Sequence, residues 1–191
     1  MKDISDAELR EIVEEVVSSL MRDKPEGVSV PEVPSGEKES TGSPPDKIVA
    51  IGADHGGFQL KETLKGFLAE SGYSVLDCGT DNTDSVDYPD IARAVAEQVR
   101  DGSAWRGIMI DGAGIGSCMA ANKVPGVRAA MCYDYATAYN SREHNNANLL
   151  TLGAGLIGPS LAKQILSTFL ETEFGGGRHA RRVDKIMEIE K

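Results

Sequence analysis

The stretch IMIDGAGIGS, residues 108–117, ends an apolar run on an acid, Asp111. Glycines follow at every second position, Gly112, Gly114 and Gly116, and then Ser117. A carboxylate in such a place can take a proton, and bare-backbone N–H groups can approach an oxyanion or phosphate closely. Residues of matching chemistry recur along the chain. Asp54-His55-Gly56-Gly57 follows the run KIVAIGA, Tyr88 stands in VDYPD, His144-Asn145 in REHNN, and Arg178, His179 and Arg182 in GGGRHARR. The chain has only three histidines, and all three stand in these polar clusters. Imidazole moves protons near neutral pH and arginine holds phosphate oxygens. Arg178 and Arg182 have the i, i+4 spacing of one helix face, which suits a phosphate clamp. The same spacing also suits plain helix surface charge, with Arg181 paired to Asp184.

The elements that must position these groups alternate from Lys47 onward. KIVAIGA reads as a buried strand, GFQLKETLKGFLAESG as a helix, YSVLDCG as a strand and YPDIARAVAEQVRDG as a helix. RGIMID is a third strand whose glycine loop leads into CMAANK, and GVRAAMC, DYATAYNSREHN, ANLLTLG and GPSLAKQILSTFLETEFG continue the alternation. RHARRVDKIMEIEK closes the chain as a short helix. This order predicts an α/β domain over residues 47–191: a doubly wound parallel sheet in a Rossmann-like three-layer sandwich. Ligands in such folds bind at the carboxyl ends of strands, and His55 and His144 are both expected in loops at that end. The glycine spacing is G-x-G-x-G after the third strand, not G-x-G-x-x-G after the first, which disfavours a dinucleotide cofactor.

Residues 1–46 differ in kind. The net charge is −10, and most of the excess acid lies in this segment. Residues 1–22 place Leu9, Ile12, Val13, Val16, Leu20 and Met21 on one face at helical spacing, with Ser5 and Glu8 spaced as a capping box. Residues 23–46 are rich in Pro, Gly, Ser and Glu and read as a flexible linker. The acidic polar face of the helix argues against membrane anchoring, and no apolar run of about 18 residues exists to span a bilayer. With no basic stripe, nucleic acid is excluded as a partner. Three cysteines without metal-site spacing read as reduced thiols, consistent with a cytoplasmic protein, and no metal or cofactor is expected.

Taken together, GADHGGFQLK, DYPD, GAGIGSCMAANKVPGVRAA, SREHNNANLLTLGA and EFGGGRHARRVDKI resemble the ribose-5-phosphate isomerase B family and its galactose-6-phosphate isomerase relatives. The resemblance runs through residues 47–190. It implies a metal-independent aldose–ketose isomerisation of a phosphorylated sugar through an enediolate. It also implies a homodimer or tetramer with each active site shared between two subunits. By the same resemblance Asp54, His55 and Tyr88 hold the sugar phosphate, His144 opens the furanose ring, and Asn145 bonds the substrate. The N–H groups of Gly112 to Ser117 form an anion hole, and Arg178, His179 and Arg182 hold the phosphate end in the partner's site. Four positions depart from the family pattern. Asp111 stands where one branch has a cysteine base, Ser117 where another has a glutamate, Ala113 where Thr or Ser is usual, and Gly155 where an arginine often binds phosphate. Asp111 is expected to serve as the base. The competing reading is a member that has lost catalysis and binds a sugar phosphate as a sensor or assembly module. The N-terminal piece resembles the encapsulation peptides of bacterial microcompartment cargo, so residues 1–22 are expected to engage a shell protein.

Overall fold

The computed structural model describes residues 47–190. The helix and linker expected within residues 1–46 lie outside the described residues. Five strands form one parallel sheet in the order β2-β1-β3-β5-β4. They are β1 (Ile48–Ala53), β2 (Ser74–Asp77), β3 (Arg106–Asp111), β4 (Ala129–Met131) and β5 (Leu149–Gly153). Six helices alternate with and follow them: α1 (Phe58–Glu70), α2 (Tyr88–Arg100), α3 (Ile115–Ala121), α4 (Tyr135–Glu143), α5 (Pro159–Glu171) and α6 (Ala180–Glu188).

The three central strands are the near-continuous apolar runs IVAIGA, RGIMID and LLTLG, and all are buried beyond their first residues. That is the signature of strands covered on both faces. One face packs Leu64 and Leu68 of α1 and Leu166 and Phe169 of α5 against Ile51, Ile110 and Leu150. The other packs Ala92, Val95 and Ala96 of α2 with Ala121 of α3 against Ala50 and Met109. Gly52 permits the close approach of α2, since a Cβ there would lie 2.7 Å from Ile91 and Val95 methyl groups. The free edge at β4 is short, and its exposed peptide groups are partly occupied. The Asn122 amide donates to the Ala129 carbonyl at 2.9 Å and accepts its N–H at 2.8 Å, filling the place of a sixth strand.

Register fixes where the loops emerge. Ala53 pairs with Ile110, and Asp111 with Gly153, so the loops after β1, β3 and β5 meet at one level. From β1 the chain steps outward to β2, then returns to β3 on the other side. The crevice between the β1 and β3 loops is therefore the topological switch point, the usual ligand site of open α/β sheets.

Candidate active site

Asp54 and Asp111 stand side by side at this switch point. Asp54 directly follows β1, donates its N–H to the Ile110 carbonyl at 3.0 Å, and is 8 % exposed. Its Oδ1 accepts the Gly57 N–H at 2.9 Å, which fixes the turn into α1. Gly57 must be bare, because a Cβ there would lie 2.5 Å from the Ile110 carbonyl oxygen. His55 is exposed beside it, and its Nδ1 accepts the Val86 N–H at 3.4 Å.

The glycine loop is built around the Asp111 carboxylate. Oδ1 accepts the N–H groups of Ala113, at 2.8 Å, and Gly114; Oδ2 accepts the Ser117 N–H at 3.1 Å and the Ser117 hydroxyl. The expectation of a carboxylate free to act as base therefore meets one whose two oxygens are occupied by its own loop. Of the N–H groups expected to form the anion hole, those of Ala113, Gly114 and Ser117 point at Asp111, while those of Gly112, Ile115 and Gly116 have no partner among the described residues. The helix also begins earlier than CMAANK, at Ile115.

Two of the three glycines are dictated by packing. Gly114 adopts φ +78°, and its carbonyl accepts the buried Thr151 hydroxyl at 2.8 Å. Gly116 lies under the Tyr88 ring, where a Cβ would come 2.5 Å from the ring. Gly116→Ala is therefore expected to displace Tyr88 from the crevice, at a cost of about 1–3 kcal/mol in stability and a raised KM. Thermal unfolding and steady-state kinetics check this, and an unchanged KM would mean that Tyr88 does not touch substrate. The Ala154 and Gly155 N–H groups donate to the carbonyls of Asp111, at 2.8 Å, and Gly112, at 2.9 Å. A Cβ on Gly155 would lie 2.9 Å from that same Gly112 oxygen, so the departure to glycine here ties the β5 loop against the glycine loop.

The second cluster lies at the opposite end of the sheet, which corrects the expected position of His144. A helix returning between parallel strands runs against them, so the end of α4 lies at the amino ends. Asn148 donates to the Arg128 carbonyl ahead of β4 and accepts from Gly107 at the start of β3, both at 3.0 Å, which places the 144–148 turn at that edge. Five residues of strand rise, roughly 16 Å, separate this level from Asp111. There the His144 and His179 rings stack 4.2 Å apart and nearly parallel, at 5°. Asn140 holds both neighbours: its Nδ2 is 2.6 Å from His144 Nδ1, and Asn145 Nδ2 donates to Asn140 Oδ1 at 3.1 Å. His144 Nε2 faces the Glu143 carboxylate at 3.0 Å.

Arg178 donates to His179 Nε2 at 3.4 Å, and Arg182 follows in the first turn of α6. Partial burial, then the positive neighbours His144, Arg178 and Arg182, hold His179 below the usual histidine range, opposed by Glu143. Arg178 is not on the helix face expected for it, because α6 begins only at Ala180, after Gly176 and Gly177 turn the chain at positive φ. No ion pair joins Arg181 to Asp184 among the described residues.

Three residues that hold this architecture escaped the sequence reading: Asn140, Thr151 and Arg142. Arg142 is 2 % exposed and bolts the His144 turn through Nη1 to the Ala147 carbonyl, at 2.6 Å, and to the Asn146 side chain, at 3.0 Å. Asn140 precedes His144 by one helical turn, the one signal in the sequence that could have found it. Among the described residues no group of His, Cys, Asp or Glu is arranged to hold a metal ion, and no helix is long and apolar enough to cross a membrane.

An open α/β sheet with acids and a backbone loop at its switch point, and an imidazole–arginine cluster at the amino ends of its strands, carries groups suited to proton transfer and to holding a phosphate. The chain belongs to the Ribose/Galactose Isomerase family, whose model matches residues 49–186. It is similar to the D-erythrulose-4-phosphate isomerase of Pectobacterium atrosepticum, at 45 % identity over 72 % of this chain and 91 % of that one. It is similar also to ribose-5-phosphate isomerase B of Escherichia coli, at 42 % identity over 76 % of this chain and 97 % of the relative. The solved ribose-5-phosphate isomerase B of Clostridium thermocellum superposes with a TM-score of 0.74 at 53 % identity, covering 75 % of this chain and 97 % of that chain.

Proposed function

We propose that the chain interconverts ribose 5-phosphate and ribulose 5-phosphate at a site shared between two copies. The observation that carries this reading is the split of the site residues. Asp54, His55, Tyr88 and the glycine loop lie at the carboxyl ends of the strands. His144, Asn145, Arg178, His179 and Arg182 lie at the amino ends. One small sugar phosphate cannot reach both within a chain, so a second copy must bring its amino-end cluster to the first copy's crevice. Two surfaces fit that docking. Ile115 and Met119 of α3 are 50 % and 65 % exposed beside the glycine loop. A groove of about 630 Å³, lined in part by Met131, Ala136, Asn140, Asn145 and Ile186, opens beside the imidazole cluster.

In the shared site His144 shuttles the proton that opens the ring, Asn145 bonds the substrate, and Arg178, His179 and Arg182 hold its phosphate. The C2 proton passes to a carboxylate of the crevice, and the unpartnered loop N–H groups meet the enediolate. The names of the Escherichia and Pectobacterium relatives differ in carbon number, so the test covers both. In deuterated water, tetrose, pentose and hexose phosphates are followed by NMR for exchange at C2. Exchange with the pentose phosphate is expected. The occupied Asp111 carboxylate favours a second reading, a binding module without turnover. Calorimetric binding with no exchange on any sugar phosphate would select it.

Residues 1–22 are proposed to carry the enzyme into a bacterial microcompartment within the cytoplasm by docking on a shell protein, as an apolar helical stripe docks in a groove. Deleting residues 1–46 is expected to leave turnover and thermal stability unchanged and to abolish co-purification with shells. A truncated protein that still enters shells, or that unfolds, contradicts this.

A further inference from the structure

We propose that Asp54, not Asp111, is the carboxylate that takes the proton from C2; the assignment rests on the isomerase reading above. An ionised carboxylate offers about four lone-pair sites. Four donors reach Asp111: the N–H groups of Ala113, Gly114 and Ser117 and the Ser117 hydroxyl. No lone pair is left for a carbon-bound proton, and the residue is 5 % exposed. Asp111 is thus a positioning residue that shapes the loop.

Asp54 is its opposite in this respect. One donor, the Gly57 N–H, occupies Oδ1, and Oδ2 has no partner among the described residues. Oδ2 is not sealed off either, since Arg106 Nε is the one fully buried side-chain polar atom left without a partner there. The open oxygen is therefore accessible from outside the protein. Gly56 spans the gap from this carboxylate to the glycine loop: its Cβ position lies 3.4 Å from Asp54 Oδ1 and 3.9 Å from the Gly112 nitrogen. A carbonyl oxygen seated near the unpartnered Gly112 N–H would bring its α-carbon beside Asp54. The other groups of the crevice are unsuited. His55 Nδ1 is taken by the Val86 N–H, Tyr88 offers a phenol, and Asp81, Asp84 and Asp87 stand exposed in the β2–α2 loop.

The step balances without a co-reactant. Asp54 takes the C2 proton, the C2–H electron pair becomes the C1–C2 double bond, and the carbonyl pair moves to O1. The carboxylic acid then returns its proton to C1, while O2 gives up its own proton to O1 and becomes the ketone. Nothing is oxidised or reduced overall.

The experiment compares Asp54→Ala and Asp111→Ala in the full chain, following kcat, KM, C2 deuterium exchange and rescue by formate. Asp54→Ala is expected to lose about 10³-fold in kcat with little change in KM, and formate is expected to restore at least about tenfold of it. Asp111→Ala is expected to lose activity together with thermal stability and to gain nothing from formate. Asp54→Asn, which keeps the acceptor for Gly57, provides the same kcat reading if the alanine variant fails to fold. An Asp54 variant within tenfold of wild type, an Asp54→Ala loss that formate leaves untouched, or formate rescue of Asp111→Ala would overturn the assignment. Wild-type protein that exchanges no C2 proton from any sugar phosphate overturns the isomerase reading as well. Wild-type exchange with an unaffected Asp54 variant overturns this assignment alone.

Discussion

Asp111→Asn is expected to lower turnover about 10²-fold and the melting temperature by about 5 °C, despite being isosteric. The carboxylate accepts from Ala113 and Gly114 on one oxygen and from Ser117 on the other. An amide keeps only one of those oxygens. Its NH₂ group must then face at least one backbone N–H, and a buried donor left without an acceptor costs about 1–3 kcal/mol. The Ser117 hydroxyl can turn and accept instead, but no N–H can. The loop shifts, and with it Gly116, against which the Tyr88 ring rests. A displacement of about 1 Å in a positioning element is enough for the loss of rate. Steady-state kinetics and thermal unfolding measured together check this. Near wild-type turnover and stability would show that the loop holds its shape without the Asp111 carboxylate.

The largest recovery of activity is expected from mixing two inactive proteins. In the proposed shared site, His144→Ala removes the imidazole assigned to ring opening at the amino end, and Asp54→Asn removes the carboxylate assigned to the C2 proton at the carboxyl end. Each homodimer then carries only damaged sites. Unfolded together and refolded as a mixture, half the dimers should contain one copy of each. A mixed dimer has one site with both defects and one with neither, so about a quarter of wild-type activity should return, as two-fold symmetry requires. Either protein refolded alone should stay inactive. A mixture that remains inactive, while the mixed dimer is shown to form by mass, would mean that the two clusters do not meet across an interface. If His144 opens the ring as proposed, the same His144→Ala protein should lose far less on an open-chain analogue than on the cyclic sugar phosphate, since ring opening is the step that calls for an imidazole proton.

Much of this was legible in the residues themselves. The runs IVAIGA, RGIMID and LLTLG are nearly continuous in apolar residues because parallel strands are covered on both faces, and RGIMID matches β3 residue for residue. The alternation of strand and helix fixed the doubly wound layering, and the motifs from GADHGG to GGGRHARR pointed to the isomerase family. These are local or periodic properties, so a linear string carries them. The tertiary structure decided what each group faces. That Asp111 spends its lone pairs on Ala113, Gly114 and Ser117 depends on how the loop folds back over β5, where Thr151 and Gly155 hold it. Spacing alone cannot count the donors that reach a carboxylate. That His144 lies at the amino ends, about a strand length from Asp111, follows from α4 running against β5, which sets two residues that the sequence placed in one site far apart within one chain. Asn140 and Arg142 acquire their roles only when the turn after α4 brings backbone carbonyls and an imidazole within reach of their side chains. Hydrogen bonds of a few ångströms decide function at such points, and their partners are set by three-dimensional packing, not by order along the chain.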